Sequence, residues 1–287
     1  MKSIQKNLSP LKCAIVGLGV ISKYYYSAIL KNNGYNLVAV CDLDENKLVK
    51  FKNHNIYTTT KFEDLLNYDL ELVIINLPNY IHYKVCKQFL MNAKHICCEK
   101  PLTIVPSSAK ELSELSKQNK QILFTTFHRR YNQHIIKLLK RIKTQKKKIQ
   151  SIRIRYFENI EEHCGTDSWY LNASECGGGV IVDNGTNAID LAIYLMGKVK
   201  IISAKIVKNK ANVDVKSIIH MTNLSGIPIE VQLDWEYKGE KKDILVKYED
   251  GSFDYVDMLE GYLKFKSSLF HEYENALEHL ALCIKNG

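Results

Sequence analysis

Residues 12–22 read KCAIVGLGVIS, and this stretch decides the fold. Its first half is an apolar, β-branched run of the kind that forms a buried strand. Its second half supplies Gly17, Gly19 and Ser22, a GxGxxG variant with a small residue at the third place, and opens a helix. Gly17 permits the tight bend and Gly19 lets the backbone approach a pyrophosphate. Val20 and Ile21 carry the turn into the helix, whose partial positive N-terminus holds the anion. A second strand, LVAVC at 37–41, ends on Asp42, 25 residues beyond Gly17. A carboxylate there accepts hydrogen bonds from ribose hydroxyls and repels a 2′-phosphate, so the expected cofactor is NAD in preference to NADP. Capping a helix that starts at Asp44 is the other role open to Asp42.

Beyond this motif, short apolar runs alternate with helix-patterned segments as far as residue 127. Strands are expected at 12–17, 37–41, 70–76, 95–99 and 121–127, with helices starting near Val20, Asp44, Tyr80 and Pro106. Gly34 is expected to cap the first helix, and Pro106 with Ser107 and Ser108 to open the last. This is the pattern of βαβ units, so residues 1–127 are expected to form an α/β, Rossmann-type dinucleotide-binding domain with a doubly wound parallel sheet. Over 128–287 the pattern changes to long alternating segments such as SIRIRYF, KIISAKIVK and IPIEVQLDWEY, with turns at Ser225-Gly226 and Asp250-Gly251. They predict an α+β domain with a large, mainly antiparallel sheet, interrupted by a helix over 178–196 and closed by another over about 267–285.

At 287 residues the chain is long enough for two hydrophobic cores, and at 46% hydrophobic and 25% charged it is too apolar for a disordered protein. Its most apolar stretch, LELVIINL at 70–77, is far shorter than the ~18 residues of a membrane-spanning helix. Lys12 falls where a secretory apolar region would run, so a cytoplasmic protein with no membrane partner is expected. The net charge of +9 suits phosphorylated ligands without requiring nucleic acid. The cations crowded into 137–148 read as a solvated helix end, so no nucleic-acid partner is expected. The 8 cysteines show no CxxC spacing and read as reduced core thiols. His163, Cys164 and Cys176 lack regular spacing and a fourth ligand, so no metal is expected.

Four blocks, GLGVIS at 17–22, INLPNYIH at 75–82, KHICCEKPLT at 94–103 and GGGVIVDNGTNAID at 177–190, stand in the order and at the spacing of the Gfo/Idh/MocA oxidoreductases. The chain resembles that family, named for glucose-fructose oxidoreductase and inositol dehydrogenase, over nearly its whole length; FHRRYN at 127–132 is a weaker echo. The resemblance implies an NAD(P)-dependent sugar or polyol dehydrogenase. Such an enzyme transfers a hydride between the nicotinamide and a secondary alcohol or ketone of a sugar, sugar phosphate, nucleotide-sugar or cyclitol. It implies cofactor contacts from Leu77, Pro78, Asn79, His82, Glu99 and Lys100 beside the glycine turn. His82 reads equally well as a satisfied structural histidine.

Lys100, Asp183 and Asn187 are the catalytic candidates, and the same three with Arg129 and Trp169 are the substrate-binding candidates. Lys100 leaves the carboxyl end of a strand, where desolvation and cofactor charge can lower its pKa into the range of proton exchange. Asp183, Asn187 and Asp190 are expected on one helical face. The family usually carries a proton-relaying His where this chain has Asn187; an amide orients a hydroxyl but exchanges no proton near neutral pH. That departure, with a C-terminus shorter than is common in the family, keeps open a second reading, a non-catalytic dinucleotide- or sugar-binding sensor. Tyr131, Trp169 and Tyr170 are candidates for an aromatic wall against a sugar ring. His128, Arg129 and Arg130 lie near the crevice, where an arginine can hold a substrate phosphate or carboxylate. The second sheet is expected to support a homodimer or homotetramer.

Overall fold

A sheet of six parallel strands grows outward from β1 (Leu11–Val16). On one side lie β2 (Tyr35–Cys41) and β3 (Tyr57–Thr59); on the other lie β4 (Leu72–Ile75), β5 (His95–Glu99) and β6 (Leu123–Thr126), giving the order β3-β2-β1-β4-β5-β6. The order reverses between β1 and β4, which opens a crevice at the carboxyl ends of the strands. Side chains alternate across the sheet. Cys13 and Ile15 enter one core with Tyr25 and Ile29 of α1 (Ser22–Lys31) and Phe51 of α2 (Glu45–Lys52). Ala14 and Val16 enter the other with Phe89 of α3 (Asn79–Met91) and Leu112 of α4 (Pro106–Gln118). The computed structural model describes residues 9–52, 54–164 and 168–286, without the side chains of Ser168 and Tyr170. Part of the segment used to judge targeting, residues 1–8, and the expected aromatic role of Tyr170 therefore lie outside the described residues.

The helix α5 (Gln133–Gln145) buries Ile135 and Leu138 and leaves Lys137, Lys140 and Lys143 in solvent, which makes the basic cluster a solvated helix face. It leads to β7 (Ile149–Asn159), the short α6 (Ile160–Cys164), α7 (Ala173–Cys176) and α8 (Thr186–Met196). Then come β8 (Val199–Lys208), β9 (Asp214–Asn223), β10 (Pro228–Asp234), β11 (Glu236–Tyr248) and β12 (Phe253–Asp257). The second sheet has the order β12-β11-β7-β10-β9-β8 and is antiparallel throughout except where β7 meets β10. α5 and α8 cover one face through Ile135, Leu138, Ala188 and Leu191, packed on Ile154, Val231 and Ile244.

Four expectations are corrected. β3 went unread, because Tyr57, Thr58 and Thr59 form no apolar run. The first helix starts at Ser22 and ends with Asn32 as its cap, and the Asn32 side chain accepts the Gly34 N–H at 2.8 Å, so Gly34 lies beyond the cap. The helix expected over 178–196 begins as a π turn at Ile181–Gly185 and becomes α-helical at Thr186. Finally, α9 (Leu269–Asn286) does not join the second core. Its Leu269, Tyr273, Leu277 and Leu280 pack with Tyr24, Tyr25 and Ile15, so the last helix of the expected 128–287 unit belongs to the first sheet.

Candidate active site

A cavity of about 490 Å³ opens at the carboxyl ends of the first sheet and is closed by residues of the second domain. The glycine turn forms part of its wall. Gly17 has φ +92°, and a Cβ there would lie 2.5 Å from the Asn76 carbonyl oxygen. Only glycine fits this close approach of β1 to the end of β4. Both polar side-chain atoms of Asn76 are buried at the wall without a partner among the described residues. A cradle that only glycine allows, beside buried amide atoms left open, fits a bound polar group such as the pyrophosphate and nicotinamide of a dinucleotide.

Of the two roles considered for Asp42, the structure shows the backbone one ahead of α2, and the same carboxylate also braces the glycine turn. Its Oδ2 accepts the Leu18 N–H of the glycine turn at 2.6 Å, and its Oδ1 accepts the Asp44 N–H at 2.9 Å ahead of α2. The Lys47 ammonium stands 3.8 Å away, and Lys47 and Lys61 share the cavity wall with Asp42. Val20, Ile21, Leu77 and Pro78 line the cavity as well. Asn79, also at the wall, spends its amide on the Cys176 carbonyl at 2.8 Å and so ties α3 to α7. His82 is fully buried behind the wall. Its ring nitrogens face the carbonyl oxygens of Pro101 (2.9 Å) and Leu77 (2.7 Å), bracing the two loops that carry cofactor and lysine candidates. That geometry corrects the expectation of direct cofactor contact from His82.

At the end of β5, Glu99 accepts the hydroxyls of Tyr25 at 2.8 Å and Tyr273 at 2.7 Å; burial raises its pKa. Lys100 follows and points into the cavity. Its ammonium donates to the Asp183 backbone oxygen at 3.0 Å and to the Asp183 carboxylate. Burial alone would lower the lysine pKa, but the Asp183 carboxylate, through charge and hydrogen bond, leaves Lys100 above its ordinary value. Asp183 is lowered: burial pushes it up, and the Lys100 charge outweighs that. The expectation of a depressed lysine is therefore corrected. The pair stands as ammonium and carboxylate, with Asp183 presented by the π turn.

Asn187 is buried at the same wall. Its Nδ2 stands 3.5 Å from His128 Nε2, and its Oδ1 has no partner among the described residues. Asp190 is not among the residues of the cavity wall. It accepts the Arg130 Nε–H at 2.7 Å, which also takes Arg130 away from any substrate anion. Arg129 also lines the cavity. It is 1% exposed, and it donates to Glu272 Oε1 at 2.7 Å, the Tyr156 hydroxyl at 3.1 Å and Ser268 at 3.2 Å, while its Nη2 has no partner among the described residues. Trp169 lines the cavity, whereas Tyr131 packs toward α9 with its hydroxyl 2.7 Å from His279 Nδ1.

Residues that sequence reasoning missed complete the wall: Asn76, Tyr156, Glu158, Lys266 and Tyr273. Glu158 accepts from Lys242 at 2.6 Å and Lys266 at 2.8 Å, and Lys242 also pairs with Glu240, so two carboxylates meet two ammonium groups. Behind the wall, Glu272 of α9 gathers His128, Arg129 and Asn132. The signal for Glu272 was present as an acidic residue on the apolar stripe of the last helix, between Leu269 and Ala276. Among the described residues no group of three His, Cys, Asp or Glu is placed to hold a metal ion, and no helix is long and apolar enough to cross a membrane.

Fold and cavity define a two-domain dinucleotide-binding protein. The model of the oxidoreductase family with an NAD-binding Rossmann fold matches residues 11–127, and the GFO/IDH/MocA C-terminal domain matches 148–254; the chain belongs to the Gfo/Idh/MocA family. It is 29% identical to D-glucoside 3-dehydrogenase of Escherichia coli K12, over 69% of this chain and 57% of that protein. The chain spans about half the length of the curated relatives it matches, from 55% to 57% for the first of them. Two solved structures share the fold. GenD2 from gentamicin A biosynthesis, in complex with NAD, has a TM-score of 0.85 at 17% identity over 96% of this chain and 86% of that one. The 3-ketoreductase KijD10 of Actinomadura kijaniata, with NADP and TDP-benzene, has a TM-score of 0.79 at 15% identity over 96% and 90%.

Proposed function

We propose that the chain is an oxidoreductase that transfers a hydride between NAD and a secondary alcohol or ketone of a sugar, sugar phosphate, nucleotide-sugar or cyclitol. The observation that carries this reading is the Lys100–Asp183 pair. It joins the end of a parallel strand to the second domain in the same cavity as the glycine turn. The bound nicotinamide supplies the two-electron chemistry. Lys100 holds the substrate oxygen with its ammonium and stabilises negative charge there, Asp183 fixes the lysine, and Asn187 Oδ1 accepts a substrate hydroxyl. Trp169 offers an apolar ring at the wall. Asp42 supports NAD over NADP through the ribose hydroxyls. The cysteines, which form no disulfide among the described residues, support a reducing cytoplasmic setting. Exposed Ile201, Ile202 and Ile206 of β8 and Ile218 of β9 support self-association through the second sheet, as a homodimer or homotetramer. The test is NAD-dependent oxidation of a panel holding myo-inositol, D-galactose, methyl α-D-glucoside and a nucleotide-sugar, followed at the NADH absorbance. Turnover of any member is expected, and none on the whole panel would remove the reading.

A further inference from the structure

We infer that His128, held by Glu272, is the base that takes the proton from the substrate hydroxyl. This rests on the oxidoreductase reading of the same cavity. Oxidising an alcohol releases a proton that some group must accept, and the obvious groups at the wall are committed. Lys100 is already an ammonium, Asp183 is paired with it, and Glu99 accepts from two tyrosines. Glu158 is paired with Lys242 and Lys266, and the Asn187 amide exchanges no proton.

His128 is differently placed. Its Nδ1 lies 2.6 Å from Glu272 Oε2, so this nitrogen carries the hydrogen and Nε2 keeps its lone pair. Nε2 faces Asn187 Nδ2 at 3.5 Å, a loose contact that a hydroxyl can replace, and both residues line the cavity. The ring is stacked on Tyr273 with centroids 5.4 Å apart. The charged groups around it are Glu272 of α9, Arg129 beside it in the chain and Lys100 from the end of β5. Burial lowers its pKa to about 4 against the pull of Glu272, so the resting imidazole is neutral. When the imidazolium forms, Glu272 stabilises it, as the carboxylate of a His–carboxylate pair does in acyl-transfer enzymes.

The step balances. The carbinol C–H bond breaks and its electron pair leaves with the hydrogen to the oxidised nicotinamide. The O–H pair becomes the second bond of the carbonyl, and the proton passes to His128 Nε2. It returns to water once product has left. In the reverse direction the same atom gives the proton back.

Two measurements on the full chain test this. The first is histidine ¹⁵N NMR of the NADH complex, with the His128 signal identified by its loss in His128→Asn. A neutral ring with its hydrogen on Nδ1 at pH 7 is expected. A cationic ring, or one with the hydrogen on Nε2, overturns the inference. The second is turnover of the polyol panel. His128→Asn should lower kcat by at least about a hundredfold, leave KM and NADH affinity within about threefold, and His128→Gly should recover turnover with added imidazole. His163→Asn is the control, since His163 is the other imidazole at the wall. Undiminished kcat in His128→Asn, or a larger loss in His163→Asn, overturns the assignment. No turnover anywhere removes the oxidoreductase reading itself; turnover with the wrong tautomer removes only the proton step.

Discussion

Asp42 shows how much one side chain can decide at the cofactor end. It is fixed at the cavity wall between the Leu18 and Asp44 N–H groups, and on the proposed reading it faces the adenosine ribose, with Lys47 and Lys61 at the same wall. NADH should therefore bind at least about tenfold more tightly than NADPH, equivalent to about 1.4 kcal/mol, and Asp42→Ala should narrow or reverse that ratio by leaving the lysines unopposed. Fluorescence titration with both cofactors checks it; equal affinities for the unaltered chain would refute it. Lys100 tests the reacting end. Lys100→Met should cost at least about a hundredfold in kcat with NADH affinity nearly intact, because the lost ammonium acts chiefly on the charge of the substrate oxygen. The position of Lys100 was legible in the sequence from its place after β5. Its charge state was not, because Asp183, the group that sets it, lies 83 residues further along the chain.

Elements were legible in proportion to their apolar content. The runs at 37–41, 70–76 and 95–99 announced strands directly, while the polar β3 gave no such signal. The π turn was invisible because its cause is tertiary. Asp214, from the start of β9, accepts the Gly179 and Ile181 N–H groups at 2.8 Å each and so satisfies the opening of the turn that presents Asp183. Gly179 is required there, since a Cβ would come 2.0 Å from the Asp214 carbonyl oxygen. Asp214→Ala should remove both bonds, lowering stability by about 1–2 kcal/mol and loosening the Asp183 turn enough to raise substrate KM. Urea denaturation with steady-state kinetics measures both. A variant as stable as the parent would show that water replaces the carboxylate at no cost.

Over the whole molecule, stability is linked to pH through histidines that are partly or fully buried. His82, His95, His128, His163 and His271 all have pKa values lowered by burial, with His128 and His163 at about 4. In the unfolded chain each takes up a proton near its ordinary value of about 6.5. Between that pH and about 4 the unfolded state therefore binds more protons than the folded one, and stability must fall as pH falls. Glu272 extends the decline. The Arg129 charge and the His128 hydrogen bond overcome the opposing effect of burial and lower Glu272 to about 2, so its contribution is lost as pH drops from about 4.5 toward 2. Glu99 and Asp190 run the other way, because burial raises them and their folded forms keep protons that the unfolded chain releases. They oppose the decline in the acid part of the same window, but they are two groups against five histidines. The urea midpoint should accordingly hold steady from pH 8 to about 7 and then decline continuously to pH 4, with His128→Asn flattening part of the slope between 6.5 and 4. A midpoint unchanged from pH 7 to 5 would mean that these histidines are charged in the folded protein. The neutral imidazole needed at Nε2 of His128 would then be absent.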